Sequence, residues 1–288
     1  MRYQAKTLCG GFIFPETPRW HRGAFYCCSI DEGTIFRIDS DGSKETVIKI
    51  DDWVSGWAFT SPDSDEIILT SCMKRKLLLY NGSDIREFAD LSSVATYSVN
   101  DMVRSKTGTC YVGSVNFEFG KVDPADAPMS PLIQVDPTGK VSVASDVTGF
   151  PNGMVITPDH KRLIMGDSIL ACLHHWEIRP DGTLANHSIF ASLPGTVPDG
   201  ISLDSDGGVW VTAGHRGVFR VLEGGEITDE IDIGNTGATA CMLGGEDGRT
   251  LLITASDSHD RNIIYDNPTG HLLTTDVRVP GAGLPSWY

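Results

Sequence analysis

Helical periodicity is nearly absent from this chain: no stretch of its 288 residues sustains apolar side chains at i, i+3, i+4 and i+7. Apolar runs approaching the ~18 residues of a membrane span are missing too. The opening MRYQAKTLCGGFIF has neither the apolar core nor the cleavage site of a secretory signal. These absences predict a soluble, cytoplasmic protein with no membrane partner. C-x-x-C spacing is lacking. The seven cysteines (Cys9, Cys27, Cys28, Cys72, Cys110, Cys172 and Cys241) are an odd set, mostly in apolar strand contexts. Neither a thiolate zinc site nor a disulfide framework is suggested, and such cysteines behave as small buried hydrophobes. Basic charge is scarce, with 23 Lys and Arg against 38 Asp and Glu and a net charge of −15. A surface of that sign repels phosphate backbones, so nucleic acid is not an expected partner. There is no G-x-S-x-G elbow, no phosphate-cradling loop and no cysteine in a nucleophile motif. Any chemistry should belong to a metal.

What the sequence does contain is turns. Thirty-one glycines and fifteen prolines cluster between apolar runs of four to seven residues, an all-β composition. Two series of landmarks alternate along the chain, each with six members. One is a tight turn leading into a short apolar strand, as in SPDSDEIILTS from Ser61, TPDHKRLIMGDS from Thr157 and DSDGGVWVTAG from Asp204. The other is a strand running into a turn, as in IFRIDSDGS from Ile35, VFRVLEGGE from Val218 and, last, IIYDNPTGH from Ile263. The spacing of roughly 40 to 55 residues is the period of a propeller blade. The sequence therefore predicts one domain over residues 1–288, a six-bladed β-propeller with four-stranded antiparallel blades. With strands A to D named from the axis outward, B–C loops and blade-to-blade connections share one face. Closure should come from Tyr3 to Leu8 pairing in the blade that contains Asp276 to Val279.

Counting back from each A–B turn gives one equivalent position per blade on the channel-lining strand. The positions are Glu16, Gly56, Asn100, Asn152, Asp199 and about Ala240. Asn-Gly and Asp-Gly are common turn dipeptides, and any one alone would read as a turn former. Four side-chain oxygens at one register of a six-fold repeat point instead to a shared site. Two carboxylates in a narrow channel repel each other unless a proton or cation intervenes. Carboxylate plus amide oxygen, without Cys or His, suits a hard divalent ion. The same face receives Trp53, Trp57, Tyr97 and Phe150 from connections, with Phe117 and Phe119 from the long loop Ser114 to Pro131. Trp57 is read as packing between blades. His215 and His259 lie in B–C loops, and Asp167 and Ser168 follow strand B of blade four.

Several stretches resemble the regucalcin/gluconolactonase/luciferin-regenerating-enzyme family. They include FPETPRWHRGAFYCCSIDEGTIFRID, SVNDMVRSKTGTCYVGS, PNGMVITPDHKRLIMGDS and VPDGISLDSDGGVWVTAG. The resemblance implies a six-bladed propeller with one divalent cation on its axis. It places metal ligands at Glu16, Asn152 and Asp199, with Asn100 near both metal and substrate. Gluconolactonase-type members carry an arginine in an R-x-N-D segment. Here the segment is S-V-N-D, with Ser98 in the arginine's place, and the substrate-side acid falls on Glu118. The expectation is a metal-dependent lactonase acting on a small-molecule lactone or ester with an apolar or aryl substituent. Asp199 and Asn100 would be catalytic, and Ser98, Glu118, Tyr97, Phe117, Trp53 and His215 would bind substrate. The cation would be Ca²⁺ first, with Mg²⁺, Mn²⁺ or Zn²⁺ as alternatives, in a monomer or dimer. Alternative readings are a calcium-dependent esterase or phosphotriesterase, a metal-dependent isomerase or cyclase, and a non-catalytic calcium-binding propeller.

Overall fold

The structure, a computed structural model, describes residues 1–118, 121–123 and 126–286. Six antiparallel sheets are arranged as a six-bladed β-propeller. Their innermost strands are Pro15–His21, Trp57–Phe59, Ser98–Arg104, Pro151–Ile156, Ile201–Leu203 and Gly237–Gly244. These strands are buried almost throughout, whereas outer strands such as Lys44–Lys49 and Ile85–Asp90 are mostly exposed, each with one buried residue, Ile48 and Ala89. That gradient is what radial stacking requires, since only the outermost strand of each blade borders solvent. Among the described residues the core divides into six apolar clusters, each joining two adjacent blades. Trp57, fully buried, packs in the cluster between blades one and two against Tyr26 and Phe59. The seven cysteines are all free, and six are buried. Among the described residues no helix is long and apolar enough to cross a membrane.

Closure uses the N-terminal segment, but not with the predicted bounds. Strand Lys6–Phe12 pairs antiparallel with Gly270–Asp276 and completes blade six as its fourth strand. Residues 277–279 lie beyond that strand. Arg2–Gln4 leaves for blade five, where it runs parallel to Ile227–Asp232 with Tyr3 opposite Ile231. A second correction concerns IIYDNPTGH, predicted as the last strand-to-turn landmark. Ile263 lies instead in a short helix, Arg261–Asp266, within the B–C connection of blade six. Asp260 caps it by accepting the amide of Asn262, and Ile264 is its buried residue. A blade whose fourth strand comes from the other end of the chain needs no C–D turn of its own.

Phe12 is the apolar anchor of the closure. It is fully buried, meets Phe36 of blade one edge-on at 5.5 Å, and has the Lys44 ammonium 4.1 Å from its ring centroid. Truncating such a side chain removes buried area and leaves a cavity. Phe12→Ala is therefore expected to lower unfolding free energy by about 3–5 kcal/mol in denaturant titration. A loss under about 1 kcal/mol, the scale of an exposed substitution, would mean that closure rests on other contacts.

Candidate functional site

The innermost strands are bulged where the sequence placed its ring. The ladder register shifts between Glu16 and Arg19, between Val99 and Met102, between Pro151 and Met154, and between Ala238 and Ala240. A bulge re-aims a side chain that regular alternation would send elsewhere, and here it presents Glu16, Asn100 and Asn152 to the channel. The glycines beside the ring are not turn formers. Gly153 lies inside its strand, and a Cβ there would come within 2.6 Å of the Ile201 amide nitrogen. On Gly200 it would come within 2.2 Å of Ala240 Cβ. Asn-Gly and Asp-Gly thus pair a ring oxygen with a residue small enough for the next blade to close in.

The ring needs correction in two blades. Gly56 bonds Thr70 through its own N–H and C=O, as Ala240 bonds Thr254. The Thr70 amide donates to the Gly56 carbonyl as the Thr212 amide donates to that of Gly200. Gly56 and Ala240 are therefore counterparts of Gly200, one residue past the ring, and the ring positions are Ser55 and Thr239. Ser55 lines the channel; Thr239 turns its hydroxyl to the Pro15 carbonyl at 2.8 Å. Aligning Gly56 with the glycines of NG and DG would have found Ser55 in the sequence.

Hydrogen bonds fix how the two amides face. Ser168 Oγ donates to the Pro198 carbonyl at 2.7 Å and must accept from Asn152 Nδ2 at 3.1 Å. That directs Asn152 Oδ1 away from Ser168, and the Asn152 side chain also hydrogen-bonds Asp199. Asn100 Nδ2 donates to the Pro151 carbonyl at 3.2 Å, while its Oδ1 accepts from Ser55 Oγ at 2.8 Å. Glu16 Oε2 accepts the Thr17 amide at 2.7 Å. Burial, then the Asp199 charge, pushes the Glu16 carboxyl well above its usual range. Burial is also the main reason the Asp199 carboxyl is pushed up to about 8. Below the ring, Arg19 ties three blades together: it bonds Asp101 at 3.1 Å, the Met102 carbonyl at 3.0 Å and the Trp57 carbonyl at 3.1 Å. Asp167 lies to one side, accepting the amides of Gly149, Phe150, Ile169 and Leu170. Burial would raise its carboxyl, but His174 and those amides outweigh it and hold it below its usual range.

These groups form the floor of a cavity of about 260 Å³. Glu16, Asn100, Asn152, Asp199, Ser98 and Trp53 line it as the sequence placed them, and Phe150 joins its wall. Tyr97, Phe117, Glu118 and His215 are not among the described lining residues. Phe117 backs Phe150 edge-on at 5.8 Å, and Glu118 pairs with Lys121 at 2.8 Å on the exposed loop. His215 stands exposed beside His259, which does line the mouth and meets Phe14 edge-on at 5.2 Å. Phe119 lies outside the described residues. Ile30, Cys72 and Arg261 come from B–C loops that the sequence places on this face without singling them out, and Phe14, Val99, Val115 and Ile264 are lining residues it gave no sign of.

No cluster of three or more His, Cys, Asp or Glu able to hold a metal occurs among the described residues. A cation here would depend on two carboxylates supplemented by amide oxygens. That donor set fits a hard divalent ion, and the two buried carboxyls, both pushed up from their usual range, are what such an ion would satisfy.

A propeller with acids and amides at its axis, under a walled mouth, is built to receive a small molecule. The chain belongs to the SMP-30/gluconolactonase/LRE-like family, whose region matches residues 14–257. It is 26% identical to L-arabinolactonase of Azospirillum brasilense over 267 residues, covering 90% of this chain and 86% of that one. It is 30% identical to 6-deoxy-6-sulfogluconolactonase of Pseudomonas putida over 168 residues, which span 56% of this chain and 58% of that relative's length. The fold matches a luciferin-regenerating enzyme with a TM-score of 0.82 at 17% identity, covering 99% of both chains. It also matches regucalcin from Agrobacterium tumefaciens, titled a calcium-binding protein, with a TM-score of 0.82 at 20% identity, covering 100% of this chain and 98% of that one.

The raised Asp199 carboxyl has a consequence for stability. Between the ordinary Asp range and about 8 the folded state keeps a proton that the unfolded state releases. Its contribution is complete at low pH and is lost as pH rises through that window. With chelator present, the wild-type melting temperature should fall between pH ~5 and pH ~8, and Asp199→Asn should flatten the fall. Equal slopes for the two proteins would show that Asp199 titrates normally.

Proposed function

We propose that this protein is a divalent-metal-dependent hydrolase of the lactonase type. The observation carrying the reading is the pair of crowded carboxyls, Glu16 and Asp199, at the floor of a cavity walled by Phe14, Ile30, Trp53 and Phe150. Membership of a family whose relatives include named lactonases supports it. Glu16, Asn152 and Asp199 would hold the cation, with Asn100 completing the set. When bound, the ion would supply Lewis acidity toward the ester carbonyl and acidify a nearby water.

The remaining work falls to the chain. Asp199 takes the proton as water oxygen attacks the carbonyl carbon. The ring C–O bond then breaks, and the proton passes to the departing alkoxide, giving the hydroxy acid. Asn100, pinned by Ser55 and Pro151, orients the reacting ester. Ser168 keeps the Asn152 carbonyl turned toward the floor. The apolar walls limit water to the molecule that reacts.

A screen of lactones and esters with chelated and metal-reloaded protein tests the class. Activity should vanish on chelation and return with Ca²⁺, Mg²⁺, Mn²⁺ or Zn²⁺. Asp199→Ala should lower kcat by about 10²–10⁴ with the fold retained; an active variant would remove Asp199 from the mechanism. For substrate, Ser98 lacks the donor fork that would satisfy sugar hydroxyls, each worth ~1–3 kcal/mol if buried unpaired. Lactones with alkyl or aryl substituents should therefore show higher kcat/KM than gluconolactone, and Ser98→Arg should shift the preference back. Gluconolactone ranking first in a matched panel would overturn the Ser98 argument.

A further inference from the structure

We propose that Arg261 forms an anion subsite at the cavity mouth, receiving a carboxylate on the end of the substrate remote from the ester. The inference rests on the lactonase reading of the same cavity. Arg261 is the only Lys or Arg among the described lining residues. It is delivered by the short helix Arg261–Asp266, far in sequence from the ring residues it faces.

Two contacts set its plane. Its Nε donates to Asp31 Oδ1 at 2.8 Å, and its guanidinium carbon lies 4.2 Å from the centroid of the Trp53 ring. Asp31 is itself fixed: its side chain is fully buried, and the Tyr265 hydroxyl donates to the same oxygen at 2.7 Å. Asp31 takes only Nε and the Tyr265 hydroxyl is the other described hydrogen-bond neighbour of the guanidinium, so N–H groups on its terminal nitrogens remain for a ligand. A guanidinium held over an indole by an ion pair has already lost much of its rotamer freedom, so binding costs less ordering. A fork of parallel N–H groups matches a carboxylate two bonds at a time.

The proposed reaction fixes the orientation. The ester must reach Glu16, Asn100, Asn152 and Asp199 at the floor, Arg261 is the one Lys or Arg among the described lining residues, and the net charge of −15 disfavours an anion over most of the surface. Asp31 offsets part of the arginine's long-range field, so recognition comes from short hydrogen bonds rather than from steering. A lactone acid would therefore enter ester first, with its carboxylate left at Arg261. The apolar walls take the carbon frame between them. Trp53 thus has two roles, wall to the substrate and platform to the arginine.

The test compares γ-lactones that carry, on a short alkyl chain, either a terminal carboxylate or the isosteric carboxamide. Wild-type protein should favour the carboxylate by about tenfold or more in kcat/KM, mostly through KM. Arg261→Met should bring that ratio to about one, and Arg261→Lys should restore part of it. Because Arg261→Met leaves Asp31 unpaired, melting curves accompany it, and calorimetry of glutarate binding to wild type and Arg261→Lys gives a readout independent of turnover. A ratio unchanged in Arg261→Met overturns the subsite and leaves the lactonase reading standing. Turnover of neither lactone with Arg261-dependent glutarate binding would do the reverse. Absence of both preference and glutarate binding also overturns the subsite.

Discussion

Close approach of neighbouring backbones around the axis is the constraint on which the rest of this molecule depends. At Gly56, Gly153 and Gly200 an added Cβ would lie 2.5, 2.6 and 2.2 Å from atoms of the next blade. No side chain fits there, so Ser55, Asn152 and Asp199, each just before one of these glycines, are what those strands offer the channel. The bulges complete the arrangement. Each sets two residues of the inner strand against one of its partner, at or beside Glu16, Asn100 and Asn152, and the strand resumes its pairing directly behind. A site made this way is rigid because six apolar clusters hold the blades that bear it.

That rigidity has an electrostatic cost. Burial favours the protonated form of both Glu16 and Asp199, and the Asp199 charge adds to it at Glu16 as the Asp101 charge does at Asp199. Asp101 nearby is also pushed up by burial, to about 6, with Arg19 pulling against it. The fold tolerates this because its stability comes from the blade interfaces and not from the axis. Ser55 and Ser168 fix how the two neighbouring amides face, Ser55 by donating to Asn100 Oδ1 and Ser168 by accepting from Asn152 Nδ2.

Much of this was legible in the sequence, for physical reasons. Repetition exposes a propeller because each blade solves the same packing problem with the same strand and turn chemistry. Glu16, Asn100, Asn152 and Asp199 were readable because a polar residue at the start of an apolar strand breaks the local rule. Ser55 was missed by one position, since its neighbour Gly56 is the residue that crowding actually selects. Arg261 was legible only as part of a loop on the right face. Its surroundings depend on Asp31 and Trp53, both some 200 or more positions away, and on a helix hidden in what reads as a strand and turn. Glu118, placed by resemblance, is not among the described lining residues and pairs with its loop neighbour Lys121.

Closure by strand Lys6–Phe12 also governs how the chain must be made. Lys6 lies opposite Thr274, so this strand finds its place only after its distant partner Gly270–Asp276 has been translated. Until then blade six has an open edge, and the Phe12 ring that belongs between blades six and one is unprotected. Such long-range pairing is slow to form and leaves a template for association with other copies. Yield in the cell should therefore be limited by how long that edge waits, and chaperone supply or growth temperature should matter more to it than the stability of the finished ring.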